Sequence, residues 1–152
     1  MPTVSVTRLR LASRWRLPQF LFHSLRSIAQ ARRSPGYLGG WTGNDAENGY
    51  WTATVWKSPE AMRLFRNSGA HLKAMPKLLH LSNQASFTHF DQESSDVPTP
   101  DAAWEQLSRA GRMSKVNAPT PEHLAGERVG RTRPRSPQHW APKRHRIADL
   151  IA

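Results

Sequence analysis

Residues 50–75 read YWTATVWKSPEAMRLFRNSGAHLKAM, and they set out a strand, a capped helix and a histidine with almost no slack between them. Aromatic and β-branched residues fill 50–55, as a pleated, half-buried surface favours. Ser58-Pro59-Glu60 then combines an N-cap hydroxyl, a first-turn proline and an early acid, which predicts a helix over 58–68. Ala61, Met62 and Phe65 are its residues available to pack, and Gly69 suits its end. A further helical piece is expected over 70–81, kinked or restarted at Pro76.

Before this stretch, residues 4–11 (VSVTRLRL) alternate apolar and polar with the parity slipping near Thr7, which predicts a bulged strand. Pro18 opens a helix whose expected apolar face is Leu21, Leu25, Ile28 and Ala29, and Pro35-Gly36 ends it. Residues 37–42 (YLGGWT) and 50–56 form a hairpin across a polar segment with Asn-Asp and Asn-Gly pairs. Downstream, residues 85–90 (ASFTHF) alternate again. The order is β-α-β-β-α-β, an α+β, ferredoxin-like antiparallel sheet with helices on one face. Its other face needs cover, for which a second subunit is the expected supplier.

The chain has 152 residues, room for one ordinary domain or for a smaller one with an extension. Composition shifts near Asp91, so the expected division is a domain over 1–91, a linker with a short helix over 92–117 and a basic, Pro/Arg-rich flexible tail over 118–152. Thr99-Pro100-Asp101 starts the linker helix, which Gly111 terminates and Trp104 anchors to the core or to a partner chain. The net charge of +11 invites a nucleic-acid reading. The arginines are scattered rather than gathered on one reading helix, so nucleic acid is not the expected primary partner. With no cysteine there are no disulfides, thiolate metal sites or thiol nucleophiles. No apolar run is long enough to span a membrane, and a cytoplasmic protein is expected. The acid-free, Arg-rich start reads as the first elements of the domain rather than as a transit peptide.

With these elements in place, the run TVWKSPEAMRLFRNSGAH and the phrase Ser34-Pro35-Gly36-Tyr37-Leu38-Gly39-Gly40 resemble the antibiotic-biosynthesis-monooxygenase-like branch of the dimeric α+β barrel superfamily. The resemblance covers roughly the first 90 residues and leaves the extension unexplained. It implies a homodimer whose sheets enclose a barrel, an apolar pocket between sheet and helices, and oxygen chemistry that often needs neither metal nor flavin. One branch degrades haem with an asparagine on the first strand, a tryptophan at the end of the third and a histidine on the next helix. Trp56 matches the tryptophan, but Thr7 stands in the asparagine position and Met75 in that of the histidine. His71, one helical turn before Met75, is the nearest substitute for a haem ligand, and other branches carry a histidine near it.

His71 and Trp56 are therefore the expected catalytic residues, and Thr7, Trp41, Trp51, Met75 and His89 the expected substrate-binding ones. His71 places an imidazole beside apolar surface, which suits a base near neutral pH; the competing reading is a core or interface histidine. The three tryptophans offer flat walls for an aromatic ligand, or ordinary strand packing. His23 is expected to be solvated, and His80, His123, His139 and His145 show no ligand spacing with acids, so no dedicated zinc or iron site is expected. Nucleophile elbows, phosphate loops and dinucleotide fingerprints are absent. The expected function is binding of an apolar or aromatic small molecule with cofactor-independent oxygenation. The alternatives are a non-catalytic ligand- or haem-binding barrel, or a basic nucleic-acid-binding accessory protein.

Overall fold

The computed structural model describes residues 1–143. Strand β1 (Thr3–Leu11), helix α1 (Leu17–Arg33), strands β2 (Tyr37–Asn44) and β3 (Gly49–Trp56), helices α2 (Pro59–Arg66) and α3 (Gly69–Leu81), and strand β4 (Ser82–Asp91) follow in the β-α-β-β-α-β order. Helix α4 (Pro100–Ala110), strand β5 (Arg112–Met113), helix α5 (Pro121–Leu124) and strand β6 (Arg135–His139) come from the extension. All pairings are antiparallel, in the order β5-β4-β1-β3-β2-β6. The fold class is thus the α+β, ferredoxin-like one.

The local signals act as their chemistry requires. Ser58 Oγ accepts from the Ala61 amide at 3.2 Å, and Thr99 Oγ1 accepts from the Ala102 amide at 3.2 Å, so each caps its helix. Gly69 takes φ +58 between α2 and α3, a conformation only glycine adopts freely. Helix α3 runs continuously through Pro76 instead of restarting there. In β1 the pairing with β3 is regular through Thr7, and the irregularity falls at Arg10/Leu11 against β4.

Helix α1 turns a different face inward from the expected one. Phe20, Ser27 and Ala31 are buried, whereas Leu21 and Leu25 are 43% and 52% exposed. Positions 20, 24, 27, 28 and 31 follow the helical repeat toward the sheet.

The opposite sheet face is a packed apolar layer of Val4, Val6, Trp41, Trp51, Ala53 and Val55 against Ala103 and Leu107 of α4. A second subunit was the expected cover for this face; the chain's own α4 takes that place, with Val97, Trp104 and Val129 beside it. The reason is that α4 carries its own apolar stripe and is joined to β4 by a short connection.

Residues 118–143, expected as flexible tail, instead wrap the domain. Strand β6 pairs with the outer edge of β2, and β5 with that of β4, so both edges of the four-stranded core are covered. The Tyr37 hydroxyl donates to the Trp140 carbonyl at 2.7 Å, and burial pushes that phenol up to about 12, so it stays a donor. Arg32 holds the Ala141 carbonyl at 2.7 Å, while Arg128 donates to the Ser108 and Arg109 carbonyls. Arg32 and Arg128 thus fasten the extension. The remainder of the expected tail, 144–152, lies outside the described residues.

One ion pair is fully enclosed. Arg8 Nε meets Asp45 Oδ2 at 2.8 Å, with their side chains 2% and 0% exposed. Among the described residues no helix is long and apolar enough to cross a membrane.

Candidate functional site

Between the sheet and helices α1–α3 lies a cavity of about 250 Å³. Its existence follows from the alternation along β1 and β3. Ser5 pairs with Thr54 and Thr7 with Thr52, and these small hydroxyl residues floor the cavity. Apolar clusters close the sheet's helical side at both ends: Leu9, Phe20, Leu78 and Leu81 at one, and Tyr37, Trp56 and Met62 at the other. Between them the short floor residues leave space that the helices do not fill.

Aromatic rings line one wall in series. Trp56, donating from Nε1 to Thr54 Oγ1 at 2.9 Å, stacks on Phe65 with ring centres 4.9 Å apart. Phe65 in turn meets His71 at 4.6 Å. The Trp56 rotamer is thus fixed on three sides, since Tyr37 packs edge-on against its other end at 5.3 Å.

His71 is held from two directions. Its amide donates to Gln30 Oε1 at 2.7 Å, and its Nδ1 lies 3.1 Å from the Arg66 carbonyl oxygen. A carbonyl only accepts, so the neutral ring carries its hydrogen on Nδ1 and leaves the Nε2 lone pair free. Burial pulls the imidazole below its ordinary value; the hydrogen bond to the Arg66 carbonyl opposes this and the Arg66 charge reinforces it. At neutral pH His71 is therefore an uncharged base on an aromatic wall.

The structure brings Thr7, Trp56, His71, Met75 and His89 around the cavity. Trp41 and Trp51, expected to shape the same slot, are on the opposite face against α4, each 1% exposed. Trp51 lies five residues from Trp56 on a regular strand, so the two must face apart. Trp41 is turned from the side of Tyr37 by the irregularity between Tyr37 and Gly39. Their indole nitrogens are already engaged, Trp41 with the Pro98 carbonyl at 2.7 Å and Trp51 with Asp45 Oδ2 at 2.9 Å.

Several lining residues went unsignalled in the sequence. Phe65, Arg66 and Phe87 line the cavity, as does Ser27, whose buried hydroxyl has no hydrogen-bond partner among the described residues. The period-two run Thr52, Thr54, Trp56 was the available signal for the floor. For Ser27 there was none, because a serine on a helix face reads as solvated until the phase of that helix is known. Among the described residues no group of three His, Asp or Glu side chains is placed to hold a metal ion.

Fold and site together define a ferredoxin-like α+β domain with an aromatic-walled cavity beneath its helices. Among solved structures, the chain is similar to the cofactor-independent oxygenase SnoaB of Streptomyces nogalater, at 20% identity and a TM-score of 0.53 over 61% of this chain and 94% of that one. It is likewise similar to Rv0793 of Mycobacterium tuberculosis, at 18% identity and a TM-score of 0.53 over 62% of this chain and all (100%) of the other. A conserved protein of Methanosarcina mazei Go1 aligns with a TM-score of 0.56 at 9% identity, covering 61% and 94%. A further match, a structure described as an antibiotic biosynthesis monooxygenase, has a TM-score of 0.55 at 12% identity. The expected resemblance to that family therefore holds at the level of fold. No protein-family model matches the chain, and no curated protein does.

Proposed function

We propose that this protein binds a flat aromatic molecule beneath α1–α3 and oxygenates it without a cofactor. The observation that carries this reading is His71: a neutral imidazole with Nδ1 committed to the Arg66 carbonyl and Nε2 free, set in a wall of aromatic rings. For a hydroquinone or anthrone-type substrate, His71 Nε2 takes the acidic proton. The resulting anion, held where few water molecules compete, passes electrons to dioxygen. For an activated CH₂ carbon, one oxygen atom enters as a carbonyl and the second leaves with the two hydrogens as water. In this reading Trp56 and Phe65 orient the ring and the Thr7 hydroxyl, which lines the cavity, bonds the substrate oxygen. Every group named in this scheme lines the same cavity. That an oxygenase of this fold is described as cofactor-independent supports the reading.

Oxygen uptake with candidate hydroquinones and an anthrone is the test. The parent protein is expected to consume oxygen in proportion to substrate, and His71→Ala to lose about 100-fold or more of that rate. Equal rates remove His71 from the mechanism. The haem-binding alternative has a supporting observation in the free Nε2 of His71. Added haem giving an unshifted spectrum, identical in parent and His71→Ala, eliminates it.

A further inference from the structure

The cavity opens toward a cleft of about 370 Å³ bordered by Thr3, Arg63, Arg66, His89 and Asp91, and the two spaces share Met62, Arg66 and His89. Arg63 and Arg66 are three residues apart on α2, so their side chains leave the same face about 4.5 Å apart along the helix axis. Both are exposed. Neither forms an ion pair among the described residues, and the side chain of Arg66 has only a long bond of 3.4 Å to Asn67 Oδ1.

Arg112 of β5 adds a third positive charge that reaches His89, joining Arg63 and Arg66. Loss of water in the cleft is the first cause lowering the His89 imidazole below its ordinary value, and repulsion from Arg66, Arg112 and Arg63 follows. The one carboxylate in the cleft, Asp91, is engaged by the Thr3 hydroxyl at 2.7 Å. Basic residues in the last turn of α2 suit its dipole, but that does not account for the cleft they share.

We propose that this entrance recognises an anionic substituent, so that the cavity's ligand is an aromatic carboxylate. Its ring lies along Trp56 and Phe65 and its carboxylate meets Arg63 and Arg66. Two guanidinium groups one turn apart match the oxygen pair of a carboxylate, and charge-assisted bonds of this kind are about twice as strong as neutral ones. The inference rests on the aromatic-pocket reading and adds the charge of the ligand.

Calorimetric titration of the full chain with 2-naphthoate and with 2-naphthamide, which share a ring system and differ in charge, tests it. The acid is expected to bind about tenfold or more tightly than the amide at low salt. The double substitution Arg63→Gln and Arg66→Gln, at exposed positions, is expected to abolish that preference, so that the acid binds no more tightly than the amide. Equal binding of the two compounds to the parent, or a preference that survives the substitution, overturns the charge assignment and leaves the aromatic pocket standing. Binding of neither compound overturns both.

Discussion

Replacing Asp45 by alanine removes the carboxylate that four donors share. Its Oδ2 takes Arg8 Nε at 2.8 Å and Trp51 Nε1 at 2.9 Å, and its Oδ1 takes the amides of Glu47 at 2.9 Å and Gly49 at 2.8 Å. Arg8 retains only Gln84 Oε1 at 2.8 Å, and its third nitrogen is already unpartnered. The variant therefore leaves an enclosed guanidinium without its hydrogen-bonded carboxylate partner, a change that costs about 3–5 kcal/mol. Against a typical domain stability of about 5–15 kcal/mol, that is a large fraction of the whole. Urea unfolding followed by circular dichroism reads it directly. Asp45→Asn is expected to fare little better, because its amide nitrogen would face two donors, Arg8 Nε and Trp51 Nε1. A pH series adds an independent check. Burial alone would raise the Asp45 carboxyl, but the hydrogen bond and charge of Arg8, with Trp51 and Gly49, hold it below its ordinary value. The pair's contribution is accordingly complete above the unfolded value of about 3.9 and fades as pH falls through the lower folded value. A loss under about 1 kcal/mol in Asp45→Ala, or a variant as acid-sensitive as the parent, would refute the reasoning.

The remaining expectations concern the cavity and its support. Ser27→Ala should leave stability unchanged or raise it by about 1 kcal/mol, since it removes an unpartnered buried hydroxyl, yet weaken binding of an aromatic ligand several-fold; thermal melts with and without ligand show both effects. Leu107→Ala should cost about 2–5 kcal/mol in denaturant unfolding, because that side chain is wholly buried between α4 and the sheet. A negligible cost would mean that something other than α4 holds that face. The midpoint of the pH–rate profile should lie below the ordinary imidazole value of about 6.5, with the rate falling toward acid, because the base is active when neutral and burial holds the His71 imidazole below that value. A midpoint above that value would point to a different base.

The order of elements was legible because the signals that carry it are local: period-two alternation in 50–56 and 85–90, and hydroxyl-proline starts at Ser58 and Thr99. The face of Trp51 was legible too, through its odd spacing from Trp56, but grouping residues as aromatic hid the parity. That of Trp41 was not, since it hinges on the irregularity after Tyr37. The phase of α1 was misread because its inward side carries serines over a cavity, while leucines at 21 and 25 stay exposed. The extension was opaque for a related reason. A segment rich in proline and arginine has no period of its own, and its order comes from strand edges and carbonyl groups contributed by distant parts of the chain.

The strongest case for a ligand lies in a contrast within two strands. On the α4 side, β1 and β3 present Val4, Val6, Ala53 and Val55, and that layer is filled. At the alternate positions of the same strands stand Ser5, Thr7, Thr52 and Thr54. Threonine and valine are close in shape and both suit a strand, so strand formation alone does not choose between them. Burial does: valine gains where it is covered, as on the α4 side, whereas these four residues are only half-buried and Thr54 Oγ1 accepts from Trp56 Nε1. A sheet selected for packing alone would carry valine on both faces. Serines and threonines in register across β1 and β3, opposite the unpartnered Ser27 hydroxyl, are what a floor requires when the molecule above it brings oxygen atoms of its own.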